Sequence, residues 1–447
     1  PALNGTRPSA PSRTPLIQTP RAAHATAVNV ASDSWEMSVP ESNAFIVLGR
    51  SNAPPSQVHC LVVTMSRFLL SAIVLVAVAC STRPTETRPA SEQPPAKPTM
   101  KYGVEVQAGP MDSILLKDYS PGSSLVVAET SVPKARFPVI DVHTHTDMNG
   151  IKTAEDVDAW VRTMDEVGVE RSIVFTGATG EEFDRQVDLY LKRYSNRFQL
   201  WCNLDTRNID APDYPERAVA ELERCDKKGA RGVGELSDKG WGLQGGQIPR
   251  DKRLHIDDPR LDAFWRKCAE LKLPVNIHIA DHPSCWQPLG PKQERTPDFQ
   301  HFNMTGKDVP SYEELLAKRD RLLAKHPKTT FIFCHLSNQG NDTAALAKVL
   351  DRYPNLYLDL SARDYEIGRQ PRTAAKFLDR YRNRILFGTD MGREAHMYRN
   401  WWRLLETADE YLPGRIWWRY YALELSPDLL KRLYRDNALK LLNWEKL

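Results

Sequence analysis

Residues 139–145 read Val-Ile-Asp-Val-His-Thr-His, an apolar and β-branched run that ends in an HxH pattern. Short, nearly continuous apolar runs of this kind are typical of strands buried on both faces of a parallel sheet. Seven more such runs follow along the chain, and amphipathic stretches separate them. The predicted strands are Val139–His143, Ser172–Phe175, Gln199–Asn203, Gly232–Leu236, Val275–Ile279, Thr330–His335, Leu356–Leu360 and Ile385–Phe387.

The stretches between these strands have the periodicity of amphipathic helices. The predicted helices are Ala154–Val167, Glu181–Tyr194, Pro215–Lys227, Pro259–Leu271, Tyr312–Lys325, Asp342–Tyr353, Thr373–Tyr381 and Met397–Tyr411. Eight strand–helix units over roughly 300 residues predict a (β/α)8 TIM barrel. A doubly wound open sheet is the alternative, but no glycine-rich dinucleotide motif follows the first strand. We expect a final helix, Pro427 to Leu442, to cap the barrel.

The composition of the 447 residues is that of a globular protein, with 41% apolar and 26% charged residues. There are 60 Lys and Arg against 57 Asp and Glu, so the net charge is only +3 and predicts no nucleic-acid partner. The longest apolar run has about a dozen residues, which is too short to span a bilayer. We expect a small-molecule partner, and the sequence leaves a homo-oligomer open.

The first 64 residues differ from the rest of the chain. They contain only seven charged side chains, are rich in Pro, Ser, Ala and Thr, and show no sustained hydrophobic period. This composition predicts disorder over residues 1–64. If translation starts at Met65, this segment is an upstream extension that belongs to the gene model and not to the protein.

Residues 65–80 have the pattern of a bacterial lipoprotein signal. Met65-Ser66-Arg67 is a short basic start, Phe68–Ala79 is an apolar core of signal-peptide length, and Cys80 follows small residues. In this interpretation Cys80 carries a lipid, and the protein is lipid-anchored in the bacterial cell envelope or periplasmic. The lipid would be its sole attachment to a membrane. The alternative is that Phe68–Ala79 is a buried hydrophobic segment, because export signals normally stand at the N-terminus.

Residues 81–135 are predicted to form a tether followed by an arm. Five prolines in residues 81–99 are typical of a semi-rigid spacer. Apolar patches in residues 100–135 predict an arm packed on the main domain, which spans residues 136–447. The five cysteines beyond Cys80 are scattered and show no CxxC spacing. We therefore expect buried thiols, and neither disulfides nor a cysteine zinc site.

Polar side chains of metal-ligand type stand at the carboxyl ends of the predicted strands, where the active sites of such barrels lie. Alternation along the first strand places His143 and His145 on one inward face. Taken singly, an HxH pair or a strand histidine also fits a packed core, and an Asp after Phe-Gly-Thr fits a helix N-cap. Together these side chains predict a first-row metal site of zinc type. The residues are His143, His145, Glu235, His278, His335 and Asp390.

This constellation resembles the amidohydrolase superfamily, and within it the amidohydrolase-related (amidohydrolase 2) branch that includes aminocarboxymuconate-semialdehyde decarboxylase-like enzymes. The resemblance covers about residues 137–442. It implies a divalent metal, chiefly zinc, held by His143, His145, His278 and Asp390. It also implies that His335 contacts the metal-bound water or the substrate.

Glu235 marks a departure from many binuclear amidohydrolases, in which a carbamylated lysine at this strand bridges two metals. Glu235 could take the place of that lysine as a ligand or a bridge. It could also be a structural carboxylate bound to the backbone or to Lys239. We therefore expect one metal by default, and two metals if Glu235 ligates.

We expect a metal-dependent hydrolase, and the ligand set by itself fits both hydrolysis and decarboxylation. Asp390 would accept a proton from metal-activated water, and His335 would polarise a carbonyl or stabilise the developing charge. The substrate would be a small amide, ester or lactone. A metal-dependent decarboxylase of a small unsaturated or aromatic carboxylate is the alternative, because the related branch also contains decarboxylases with similar ligands. A second alternative is a catalytically inactive, lipid-tethered binding protein.

Two loops carry candidate substrate contacts. Arg363 follows the seventh strand and could bind a substrate carboxylate or phosphate, which favours an anionic substrate. It could instead join a surface network with Asp364. Trp286 lies in the long insertion after the fifth strand, where it could form an apolar wall for a ring or pack the lid.

Overall fold

The computed structural model describes residues 99–444, apart from positions 102, 107–108, 111, 148, 247, 296–299, 415 and 443. The segment predicted to be disordered, the predicted signal and Cys80 lie outside the described residues, as does most of the predicted tether. Within the described part of the chain, no helix is both long enough and apolar enough to cross a membrane.

The described residues contain a small antiparallel hairpin followed by eight parallel strands. The hairpin strands are β1 Thr99–Lys101 and β2 Val104–Val106. The parallel strands are β3 Val139–His145, β4 Val169–Phe175, β5 Phe198–Trp201, β6 Val233–Asp238, β7 Val275–Ile279, β8 Phe331–Phe333, β9 Leu356–Asp359 and β10 Ile385–Leu386.

The parallel strands surround one interior. Strands β3–β5 form one sheet and β6–β10 form a second sheet, each in sequence order. At one edge Cys202 pairs with Val233, which joins the end of β5 to β6. At the other edge the Val142 N–H donates to the Phe387 carbonyl at 3.0 Å, which joins β3 to the end of β10. The two sheets therefore meet at both edges, and the predicted (β/α)8 TIM barrel is confirmed.

Helices cover the outside of the ring, and the first and fifth of them begin with capping boxes at Thr153 and Ser311. The helices are Ala154–Val167, Gly180–Tyr194, Tyr214–Lys228, Asp262–Leu271, Tyr312–Lys325, Thr343–Arg352, Asp364–Arg369, Pro371–Arg380 and Ala395–Glu406. Short 3-10 turns lie at Leu116–Asp118, Arg250–Lys252, Pro259–Leu261, Pro283–Trp286 and Gln300–Phe302.

The helix predicted to reach Tyr411 ends at Glu406 instead. Thr407 has an extended backbone, and its carbonyl accepts a hydrogen bond from the Glu424 N–H at 2.9 Å. The chain beyond Glu406 therefore pairs with a distant segment and cannot continue the intrahelical hydrogen bonds.

The C-terminal segment closes the end of the barrel at which the strands begin. Pro427–Lys431 and Asn437–Leu441 are α-helical, and Arg432–Asp436 between them is a π-helical turn. Arg171, near the start of β4, donates to the Trp444 carbonyl at 2.7 Å. The predicted capping helix is therefore present in three parts. One buried cluster joins the end of this segment to the strands, and its members are Ala438, Leu439, Leu442, Trp444, Ile140, Val142, Ile173, Phe175, Trp201, Ile332 and Leu386.

The segment before β3 is held against the last outer helix. Thr130 donates its N–H and its hydroxyl to the two carboxylate oxygens of Asp409, at 2.7 and 2.6 Å. Further along, the Arg136 N–H donates to Glu406 at 3.1 Å. These bonds attach residues 130–136 to the barrel.

The strand predicted to reach His335 ends at Phe333. His335, Leu336, Ser337 and Asn338 all have left-handed backbone angles, with φ between +49° and +57°. L-amino acids rarely adopt this conformation in succession, so the surrounding structure has to hold it. Among the bonds that do so, the His335 N–H donates to Asp359 at 3.1 Å, and Asn338 Nδ2 donates to the Ile279 carbonyl at 3.0 Å.

Candidate metal centre

The six residues predicted as ligands or catalytic groups come together at the carboxyl ends of the parallel strands. Two histidines of β3 and one carboxylate that follows β10 form the first half of the cluster. The Nε2 atoms of His143 and His145 are 3.2 Å apart. Asp390 Oδ1 lies 3.6 Å from His143 Nε2 and 3.3 Å from His145 Nε2.

Glu235 of β6, His278 of β7 and His335, which follows β8, form the other half. Glu235 Oε1 lies 2.7 Å from His278 Nδ1 and 3.3 Å from His335 Nε2. The two imidazole nitrogens are 3.0 Å apart. His278 therefore groups with Glu235 and His335, while His335 Nε2 also lies 3.7 Å from Asp390 Oδ2 of the first half.

Glu235 connects the two halves because its two oxygens face different histidine pairs. Oε2 lies 3.3 Å from His145 Nε2, while Oε1 faces His278 and His335. Glycine is required just before it. Gly234 has a φ of +146°, and a Cβ at this position would stand 2.8 Å from the Asn276 Cβ of the neighbouring strand.

Each of three imidazoles turns one nitrogen to the cluster and the other to an acceptor outside it. His143 Nδ1 lies 3.1 Å from Asp359 Oδ2, and His278 Nε2 lies 3.1 Å from Asp281 Oδ1. His335 Nδ1 donates to the Ser361 carbonyl at 2.9 Å. Metal-ligating histidines use their second nitrogen in this way, since the outer bond leaves a lone pair on the inner nitrogen. The donor set therefore fits a metal.

The charges around the cluster also suit a cation. Burial alone would lower the pKa of His145, but the carboxylates of Asp390 and Glu235 outweigh burial and raise that pKa to about 10. Burial would likewise raise the pKa of Glu235, but His278, His145 and His335 outweigh it and hold the pKa well below its usual value. Burial and His278 lower the pKa of His335 to about 4, so this ring is neutral at pH 7. The carboxylates are ionised, and they stabilise positive charge at this position.

Sequence reasoning missed two buried carboxylates that hold the cluster in place. Asp359, the last residue of β9, accepts hydrogen bonds from His143 Nδ1 and from Asn276 Nδ2 at 3.2 Å. Asp141 accepts from the Thr389 hydroxyl at 2.7 Å, which ties β3 to the segment that carries Asp390. Burial raises the pKa of Asp141 to about 6. The signal that could have identified Asp141 is its place in a strand that ends in predicted ligands, and for Asp359 it is its place at the carboxyl end of the seventh parallel strand.

A cavity of about 280 Å³ lies beside Glu235. Its wall contains Asn203, Lys239 and Trp241, and a glycine-rich loop that includes Gly245 closes one side. Lys239 Nζ lies 3.3 Å from Asp281 Oδ1. Burial would lower the pKa of Lys239, but Asp281 and Glu235 outweigh it and raise the pKa. The ammonium is therefore charged, and its side chain is one-third exposed.

Arg363 and Trp286, the two predicted substrate contacts, do not line this cavity. Arg363 is buried and donates to the Ala362 carbonyl at 2.9 Å and to Asn338 Oδ1. Trp286 donates its indole N–H to the Pro310 carbonyl at 3.0 Å and packs against Tyr312, with ring centroids 5.8 Å apart. These contacts lie at the end of the long insertion that carries Trp286. They favour packing of the lid over an apolar wall for a substrate ring, the two roles considered for Trp286.

Comparison with solved structures gives distant similarities. A 2,6-dihydroxybenzoate decarboxylase from Rhizobium is 18% identical, with a TM-score of 0.43, and 69% of this chain covers 99% of that one. A 5-carboxyvanillate decarboxylase from Novosphingobium aromaticivorans, complexed with manganese, is 15% identical, with a TM-score of 0.42 and coverage of 71% and 100%. A probable 2-pyrone-4,6-dicarboxylic acid hydrolase from Acinetobacter baumannii is 12% identical, with a TM-score of 0.42 and coverage of 69% and 100%.

No curated protein matches the sequence. A family model described as amidohydrolase matches residues 140–444. This range contains all six cluster residues and the eight parallel strands, except for Val139 at the start of β3. The chain therefore belongs to this amidohydrolase family, and it is a metal-dependent enzyme of the amidohydrolase superfamily.

Proposed function

We propose that the enzyme is a hydrolase that cleaves a small anionic amide, ester or lactone. The observation that carries this proposal is the position of Asp390. Its side chain is 19% exposed, against 12% for Glu235 and 1% for His335, so it is the carboxylate that water and substrate reach most easily. A carboxylate at the accessible side of a metal-binding cluster is placed to accept a proton from attacking water.

In the described part of the chain, the residues whose donor atoms suit a metal form three overlapping groups, each with donor atoms within 4.8 Å of one another. The groups are His143, His145 and Glu235, then His143, His335 and Asp390, and finally Glu235, His278, Cys334 and His335. A bound divalent cation lowers the pKa of water and polarises a carbonyl. Glu235 belongs to two of these groups, which supports two cation positions, whereas none of the three groups contains all four ligands of a single site built from His143, His145, His278 and Asp390. Metal content distinguishes the two, with about two equivalents per chain expected.

Lys239 is the cation best placed to bind an anionic substrate. It pairs with Asp281, but it is one-third exposed and lines the cavity beside Glu235, whereas Arg363 is buried and does not line this cavity. A substrate carboxylate paired with Lys239 would place its scissile bond next to the metal-binding cluster. Asn203 and Trp241 on the cavity wall would then contact the rest of a small molecule.

A substrate screen tests the proposed reaction. The metal-loaded protein is incubated with carboxylate-bearing lactones, esters and amides, and separately with aromatic and unsaturated carboxylates, while acid release and carbon dioxide release are measured. We expect acid release from the first set, and none after chelation of the metal. Carbon dioxide release from the second set alone would establish the decarboxylase alternative. A metal-loaded protein that binds these compounds and turns over none would point to an inactive binding protein.

A further inference from the structure

Cys334 lies beside the six residues of the metal-binding cluster. The proposed function gives Cys334 no role. Its thiol is fully buried and lies 3.3 Å from Glu235 Oε1. The same oxygen faces His278 and His335. One carboxylate oxygen, two imidazole nitrogens and one sulfur therefore surround a common point.

The left-handed turn after β8 explains why neighbouring residues both reach this point. In a regular strand, successive side chains point to opposite faces, so Cys334 and His335 could not both face the barrel interior. The backbone leaves the strand conformation after Phe333, and His335 has a φ of +57°. As a result Cys334 Sγ and His335 Nε2 are each 3.3 Å from Glu235 Oε1.

The spacing of the four donor atoms suits a tetrahedral ion. Zinc bonds to nitrogen, oxygen and sulfur place neighbouring ligand atoms about 3.3–3.6 Å apart. Cys334 Sγ and His335 Nε2 lie at this spacing, 3.3 Å from Glu235 Oε1, whereas His278 Nδ1 lies at 2.7 Å, the distance of a hydrogen bond. All four donor atoms lie within 4.8 Å of one another.

We propose that Cys334 Sγ is the fourth ligand of the cation position formed by Glu235, His278 and His335, and that this position selects zinc over manganese. The proposal rests on the proposed function for the presence of a metal centre. When the cation binds, a sulfur–metal bond forms and the thiol proton passes to solvent, without any change of oxidation state. Thiolate ligands favour zinc, whereas manganese prefers oxygen ligands and octahedral geometry. The scattered cysteines of the sequence had predicted the opposite, a thiol without a metal role.

Cobalt substitution tests the sulfur ligand directly. The metal-free full-length protein is titrated with Co²⁺, and the near-ultraviolet absorption that arises from thiolate-to-cobalt charge transfer is recorded together with the bound cobalt. The variants are Cys334→Ser and, as a matched control, Cys268→Ser, a buried cysteine on the outer helix Asp262–Leu271. We expect the band in the wild type and in Cys268→Ser, and its loss in Cys334→Ser. Zinc should displace the cobalt that gives the band, and manganese should not.

The outcomes distinguish a failure of the sulfur-ligand proposal from a failure of the proposed function, which requires a metal centre. Cobalt that binds the wild type without the band overturns the sulfur ligand but leaves the metal centre intact. A protein that binds no cobalt overturns both. If Cys334→Ser does not fold, X-ray absorption at the zinc edge of the wild type decides the question. A sulfur neighbour at about 2.3 Å supports the proposal, and a shell of nitrogen and oxygen alone overturns it.

Discussion

Replacing Asp390 by asparagine is expected to lower turnover by roughly 10²- to 10⁴-fold, the range that positioned general bases contribute. Asparagine keeps the shape of the side chain but cannot accept the proton. It also removes the negative charge that lies 3.3 Å from His145 Nε2 and 3.6 Å from His143 Nε2, so metal affinity should fall as well. Steady-state kinetics at saturating metal separate the loss of the base from the loss of the metal.

The matched control for Asp390 is Glu394→Gln, which removes an exposed carboxylate four residues further along. It should retain both metal and turnover. If Asp390→Asn keeps wild-type turnover at saturating metal, Asp390 is not the proton acceptor, and another group has to fill that role.

Replacing Asp359 by asparagine is expected to lower metal affinity, by roughly 10- to 100-fold, as for other outer partners of metal-ligating histidines. Oδ2 accepts from His143 and Asn276, and Oδ1 accepts from the backbone N–H groups of His335 and Ser361 at 3.1 Å. Both oxygens of Asp359 accept hydrogen bonds, so the NH₂ group of an asparagine at this position would face other hydrogen-bond donors in either orientation. If it faces His143, it favours the ring tautomer that carries its proton on Nε2, which removes the lone pair needed for a metal.

Isothermal titration of the metal-free protein with zinc measures this effect of Asp359 on affinity. Asp351→Asn, an exposed carboxylate on helix Thr343–Arg352, is the control and should bind zinc normally. Asp359 is a positioning residue, so excess zinc should restore much of the turnover of Asp359→Asn. Wild-type affinity in this variant would show that the orientation of His143 does not depend on Asp359.

The parts of the fold that repeat a simple physical pattern could be predicted from the sequence. The eight apolar runs indicated buried parallel strands, and the helices Ala154–Val167 and Tyr312–Lys325 have the bounds that their periodicity predicts. The six cluster residues were predicted to lie together because metal ligands in such barrels lie at strand ends. Both inferences depend on local spacing, which the sequence contains.

Features that depend on contacts between distant segments could not be predicted in this way. The left-handed turn at His335 is held by two other strands, because Asp359 accepts from the His335 backbone N–H and the Ile279 carbonyl accepts from the Asn338 side chain. The central position of Glu235 depends on the close approach of Gly234 to Asn276. The engagement of Arg363 by Asn338 follows from the same turn. In each case the deciding partner is tens of residues away, and the residue type alone leaves several roles open.

Metal content of the wild type and of a His143→Ala/His145→Ala double variant tests the central claim that these side chains form a metal centre. Both proteins are loaded with zinc, dialysed and examined by elemental analysis, with circular dichroism to verify folding. We predict about two equivalents in the wild type and the loss of at least one in the folded double variant, because both inner nitrogens of β3 are removed. A folded double variant that retains the metal content of the wild type would contradict the account.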